Sequence, residues 1–190
     1  MSPIDDAEIH EIVQRVLSQV LGTSARQPAP SAPARTETAG RKVIAIGADH
    51  GGFELKEVLK PELNSLGFEI TDVGTNSKEA VDYPDFAQAV AQAVSLGNAW
   101  RGIMIDGAGI GSCIVANKVP GVRAGIAYDY SSAVNSREHN DTNVLTLGAG
   151  LIGVNLAKQI VKTWLTTDFA GGRHTERVDK IKSVEKKYLK

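Results

Sequence analysis

The stretch IMIDGAGIGSCIVANK, residues 103–118, decides how the chain folds. Its first part is a run of consecutive apolar residues ending on Asp106. Its second part turns through Gly107, Gly109 and Gly111 and opens a helical pattern at Ser112. A strand that is apolar on successive positions is buried on both faces, as in a parallel sheet covered by helices on either side. In such sheets ligands bind beyond the carboxyl ends of the strands, where this carboxylate and these glycines fall. Backbone N–H groups exposed ahead of a helix suit an anion or a developing oxyanion, although a tight strand-to-helix turn would use the same glycines. Asp106 likewise has two readings: a reactive carboxylate, or one that caps the helix and braces the loop.

The pattern repeats on both sides of that stretch. Strands are predicted at 42–47, 69–74, 101–106, 122–127 and 143–148, and helical periodicity at 51–66, 84–97, 112–118, 130–137, 151–165 and 172–187. This alternation predicts an α/β domain over 42–190 with a doubly wound, five-stranded parallel sheet. Ahead of it, residues 5–21 carry Ile9, Ile12, Val13, Val16, Leu17, Val20 and Leu21 at three- and four-residue steps, one apolar helical stripe. Residues 22–41, with Pro28, Pro30 and Pro33 among Ala, Ser and Thr, read as a linker. We therefore divide the chain into 1–21, 22–41 and 42–190.

At 190 residues and 42% hydrophobic, the chain has room for one sizeable core. A formal net charge of -1 with interspersed signs argues against general affinity for nucleic acid or anionic membrane. The single cysteine, Cys113, excludes an intrachain disulfide, and with four scattered histidines it leaves no Cys/His cluster like a zinc site. No apolar run approaches a membrane span, and the amino terminus is acidic rather than basic and then apolar. A cytoplasmic location is expected.

The strand ends supply the chemical candidates. GADHGG puts Asp49 and His50 after the first strand, an acid and an imidazole able to share proton transfer or meet an anion. YDYSSAVNSREHNDTN, after the fourth strand, carries Arg137, His139 and Asn140, read here as lying at the carboxyl side of the sheet. Arg173 and Arg177, four apart on the last helix, share a face and suit a phosphate, though a solvated surface pair would look the same. GAGLIG, residues 148–153, fits a dinucleotide fingerprint, but no later strand ends in an acid for the ribose.

Together GADHGGFELK, VDYPDFA, GAGIGSCIVANKVPGVRA, SREHND, NVLTLGA and FAGGRHTERVDKI resemble the type B ribose-5-phosphate isomerase and galactose-6-phosphate isomerase subunit family over residues 42–185. The resemblance implies a Rossmann-like three-layer α/β/α sandwich, a homodimer or tetramer with active sites at the subunit interface, and no metal or organic cofactor. It implies aldose–ketose isomerisation of a sugar phosphate through an enediolate. By the same resemblance Asp49 and His50 meet the sugar ring oxygen or phosphate. Gly107, Ala108, Gly109, Ile110 and Gly111 hold the enediolate. His139 and Asn140 assist ring opening and bind hydroxyls, while Arg173 and Arg177 bind phosphate. Three positions depart from the ribose-type pattern. Asp106 stands where many members carry a cysteine base, Ala108 where a hydroxyl is usual, and Gly150 where many have a further arginine. Asp106 is expected to take over as base, with ribose 5-phosphate the first substrate to test. A galactose-6-phosphate type of substrate, or a non-catalytic sugar-phosphate-binding protein, is the alternative. The amino-terminal helix and linker resemble an encapsulation peptide, which would place the enzyme inside a bacterial microcompartment with shell or cargo proteins as partners.

Overall fold

A computed structural model describes residues 42–189; the expected helix at 5–21 and the linker lie outside the described residues. The chain runs β1 (Val43–Ala48), α1 (Phe53–Ser65), β2 (Glu69–Asp72), α2 (Tyr83–Ser95), β3 (Arg101–Asp106), α3 (Ile110–Ala116), β4 (Ala124–Ile126), α4 (Tyr130–Glu138), β5 (Val144–Gly148), α5 (Val154–Thr166) and α6 (Arg173–Tyr188). Each element lies where the periodicity predicts it, with ends displaced by at most three residues.

All strand pairs are parallel, in the order β2-β1-β3-β5-β4. The apolar strands account for this arrangement. In β1, Ile44 and Ile46 face one side with Ile103 and Ile105 of β3 and Leu145 and Leu147 of β5, against Leu59 and Leu63 of α1 and Ile160 and Trp164 of α5. Ala45, Met104 and Val144 face the other side, against Ala87, Val90 and Ala91 of α2. Two separate apolar layers therefore lie on the two faces, a three-layer α/β/α sandwich of Rossmann-like kind.

Topology then locates the binding edge. From β1 the chain moves outward to β2, returns to β3 and builds the rest of the sheet on the other side. The reversal lies between β1 and β3, so the crevice beyond their carboxyl ends is where an open parallel sheet takes its ligand. The opposite, amino edge is closed by a buried cationic cluster. Arg101 donates from Nη1 to the Trp164 and Leu165 carbonyls at the end of α5, at 2.8 and 3.2 Å, and its guanidinium lies 4.0 Å from the Trp100 ring and 5.0 Å from that of Trp164. These carbonyls are the negative end of the α5 dipole and offset the buried charge. Burial, and then the charge of Arg137, push the Arg101 pKa down to about 10.

Candidate active site

Asp49 and His50 leave the end of β1. Asp49 is nearly buried, and its Oδ1 accepts from the Gly52 amide at 2.9 Å, which turns the chain into α1. His50 is exposed, with Nδ1 3.2 Å from both the amide nitrogen and the carbonyl oxygen of Val81. A Cβ on the intervening Gly51 would lie 3.3 Å from Asp49 Oδ1 and 3.6 Å from Gly107 N, so the two strand ends face each other across this glycine.

The loop after β3 is built around Asp106. Its Oδ1 accepts from the Ala108 amide at 2.8 Å and from the Gly109 amide, while Oδ2 accepts from the Ser112 amide at 3.2 Å and from the Ser112 hydroxyl. Gly109 sits at φ +78°, a left-handed backbone that admits glycine readily and lets the chain fold back onto the carboxylate. Three loop amides, those of Gly107, Ile110 and Gly111, donate to no acceptor among the described residues and remain available to an anion. Ile110 is exposed and Ala108 half-buried.

Two tyrosines outside the candidate list complete this wall. Tyr128 donates its hydroxyl to the Ala108 carbonyl at 2.9 Å. The Tyr83 ring stands over Gly111, so close that a Cβ there would lie 2.6 Å from it. Tyr83 occurs in VDYPDFA, a stretch used for the resemblance without assigning it a role; no pattern in the sequence marks Tyr128.

His139 and Asn140 are elsewhere. They follow α4, which starts at the carboxyl edge on an Asp129–Ser132 capping box and runs antiparallel to the strands. Nine residues of helix carry the chain about 13 Å back, to the amino edge of the sheet. The expectation of a carboxyl-side location is corrected accordingly: the strand end after β4 is Tyr128 and Asp129, and the His–Asn pair precedes β5 instead. There Asp141, at φ +47°, accepts from Arg123 and Arg137 at 2.9 Å each and braces the turn.

Arg173, His174 and Arg177 begin α6 at the same amino edge. The link is the Ala170 amide, which donates to the Glu138 carbonyl at 3.1 Å, and a face-to-face stack of His139 on His174 with centroids 4.1 Å apart and 6° between planes. Burial first, then His139, Arg173 and Arg177, hold the His174 pKa below its ordinary value. Arg173 and Arg177 are exposed. The structure thus gathers the candidates into two groups, one at each edge of the sheet: Asp49, His50, Asp106 and the glycine loop at one, His139, Asn140, Arg173 and Arg177 at the other. Gly150 lies on the first edge, where its amide donates to the Gly107 carbonyl at 3.0 Å. Cys113 is half-buried, its Sγ 3.6 Å from the Ala124 carbonyl, and burial pushes the thiol pKa up. Among the described residues no cluster of three His, Cys, Asp or Glu could hold a metal ion, and no helix is long and apolar enough to cross a membrane.

A family model described as ribose/galactose isomerase matches residues 44–181. The chain belongs to that family. Members of the ribose/galactose isomerase family similar to it include the ribose-5-phosphate isomerase B of Escherichia coli K12, 47% identical over 146 residues that span 77% of this chain and 98% of the relative. The D-erythrulose-4-phosphate isomerase of Pectobacterium atrosepticum is 43% identical over 139 residues, 73% of this chain and 91% of the relative. Among solved structures, the ribose-5-phosphate isomerase B of Clostridium thermocellum is 51% identical and superposes with a TM-score of 0.76, covering 77% of this chain and 99% of that one.

Proposed function

We propose that the chain isomerises a phosphorylated aldose to its ketose through an enediolate, with ribose 5-phosphate to ribulose 5-phosphate as its first reaction. The observation that carries this reading is the crevice between β1 and β3. There the Asp49 carboxylate and the uncommitted Gly107 amide lie on either side of Gly51, the pairing of base and oxyanion donor that proton abstraction beside a carbonyl requires. The family match and the ribose-5-phosphate isomerases among the relatives support the substrate.

The phosphate-binding and ring-opening groups come from a second copy of the chain in this reading. His139, Asn140, Arg173 and Arg177 lie at the amino edge, about a strand's length from the crevice in their own chain. A neighbour that presents this edge to the crevice would supply a cation pair for the phosphate and an imidazole for the ring oxygen. Exposed Ile181, Val184 and Tyr188 on one face of α6, and a cleft of about 610 Å³ beside edge strand β4, support such packing. The stripe from Ile9 to Leu21 is read as an encapsulation peptide that directs the enzyme into a microcompartment shell.

The test is turnover of a panel of tetrose, pentose and hexose phosphates by the full-length protein in deuterium oxide. Conversion of ribose 5-phosphate, with solvent deuterium at the carbon that loses its proton, is expected. A protein that binds these compounds and turns over none is a sugar-phosphate-binding protein, and preferential conversion of a tetrose phosphate moves the substrate assignment.

A further inference from the structure

Two carboxylates end adjacent strands at the crevice, and their hydrogen bonding differs in kind. An ionised carboxylate has about four lone-pair directions. Asp106 has all four occupied by donors of its own loop: the amides of Ala108, Gly109 and Ser112 and the Ser112 hydroxyl. To accept a proton from carbon it would have to release one of the bonds that shape the loop. Asp49 accepts one bond, from Gly52, on Oδ1. Its Oδ2 has no donor among the described residues and is not among their sealed, unpartnered polar atoms, so it opens toward solvent.

We infer that Asp49 is the base that moves the proton between the two carbons, and that Asp106 is a positioning residue that holds the glycine loop in its anion-binding shape. The inference rests on the isomerase reading and assigns its chemistry. Asp49 takes the proton from C2 of the open-chain aldose. The C2–H electron pair forms the C1=C2 double bond, and the carbonyl pair moves onto O1. The charge on O1 meets the free amide of Gly107. After a proton passes from O2 to O1, the protonated Asp49 returns its proton to C1 and the C2 carbonyl forms. A Cβ on Gly51 would lie 3.3 Å from Asp49 Oδ1 and 3.6 Å from the Gly107 amide nitrogen, so the Asp49 carboxylate, with Oδ2 its uncommitted oxygen, stands beside an oxyanion donor at this strand end. Asp106 acts on the reaction by aiming amides. Its four donors turn three of the loop's N–H groups inward, which fixes the direction of the three that remain.

The experiment compares Asp49→Asn, Asp106→Asn and Ser112→Ala in the full-length protein, by ribose 5-phosphate turnover and by exchange of the substrate's C2 hydrogen with solvent. Asp49→Asn is expected to lose exchange by roughly 10²–10⁴-fold, the range for removal of a general base. Ser112→Ala removes one donor from Asp106 and is expected to raise KM about tenfold while exchange from bound substrate persists, the split expected when a binding loop loosens. Asp106→Asn is expected to show the same split more strongly. Exchange in Asp49→Asn within tenfold of the wild type overturns the assignment, whether or not Asp106→Asn folds. So does a Ser112→Ala variant that exchanges faster at unchanged KM, as a freed Asp106 base would. A wild-type protein that converts no sugar phosphate sinks the isomerase reading itself, an outcome distinct from either of these.

Discussion

Gly51 and Gly52 are adjacent and should fail differently. A Cβ on Gly52 would lie 2.3 Å from the Ile105 carbonyl oxygen, inside the contact that packs the start of α1 against β3. Gly52→Ala is expected to destabilise the fold by about 1–3 kcal/mol, read as a drop in the urea midpoint. At Gly51 the nearest atom would be Asp49 Oδ1 at 3.3 Å, and the residue is exposed. Gly51→Ala is therefore expected to keep the midpoint and lose kcat/KM by about 10²-fold, because the new methyl occupies the space between carboxylate and loop amide. Equal loss of stability in both variants would contradict the placement of the crevice. At this scale the sequence was legible as chemistry but not as assignment. DGAGIGS shows a carboxylate next to a turn of amides, and both readings of Asp106, reactive or bracing, follow from it. Only the number of donors around each oxygen separates them, and that number depends on how the loop folds back through Gly109.

Among the elements, α1 and β2 are pinned by a charged cluster. Lys56, fully buried, reaches Asp72 at 2.6 Å, and Lys60 reaches the same carboxylate at 2.8 Å. Burial alone would raise the Asp72 pKa, but hydrogen bonds from Lys56, Lys60 and the Gly74 amide outweigh it and hold the carboxyl below its ordinary value of 3.8. A lowered carboxylate stabilises the fold above its unfolded value, and that contribution is lost as pH falls below 3.8 through the folded value. Asp72→Asn would leave the buried Lys56 ammonium with only the partly exposed Glu57 carboxylate, 3.3 Å away, as its counter-charge among the described residues. The expected cost is about 3 kcal/mol at neutral pH, with a shallower acid unfolding curve than the wild type. A variant with unchanged acid unfolding would remove Asp72 from this account. The elements themselves were legible almost to their ends, since apolar runs and helical stripes alternate without ambiguity from Lys42 onward. The edge to which each residue belongs was less so. SREHND sits after the fourth strand in sequence, yet the residues between are themselves α4, and a helix that runs back along the sheet delivers His139 and Asn140 to the far side.

For the whole molecule, the separation of the two groups makes assembly part of catalysis in the reading proposed above. If each site draws Asp49 from one copy and His139 from another, Asp49→Asn and His139→Ala are each inactive alone. Unfolded together and refolded as a mixture, they are expected to recover about a quarter of wild-type turnover, because half the dimers are mixed and each mixed dimer has one intact site. No recovery would mean that both residues serve the same site from the same chain. The shared arrangement was not legible in residue patterns, which carry no information about what lies across a sheet; it entered through resemblance, and the opposite placement of the two groups supports it. The aromatic setting of Arg101 has a practical corollary. The chain's two tryptophans, Trp100 and Trp164, both lie against that guanidinium, and Arg137, two residues before His139, lies 6.0 Å from the Trp164 ring. Indole fluorescence therefore looks out from the amino edge alone, while the glycine loop is lined by tyrosines. Emission will register the docking of a neighbour on that edge and stay nearly silent to changes confined to the loop, so the protein carries its own optical separation of assembly from loop closure.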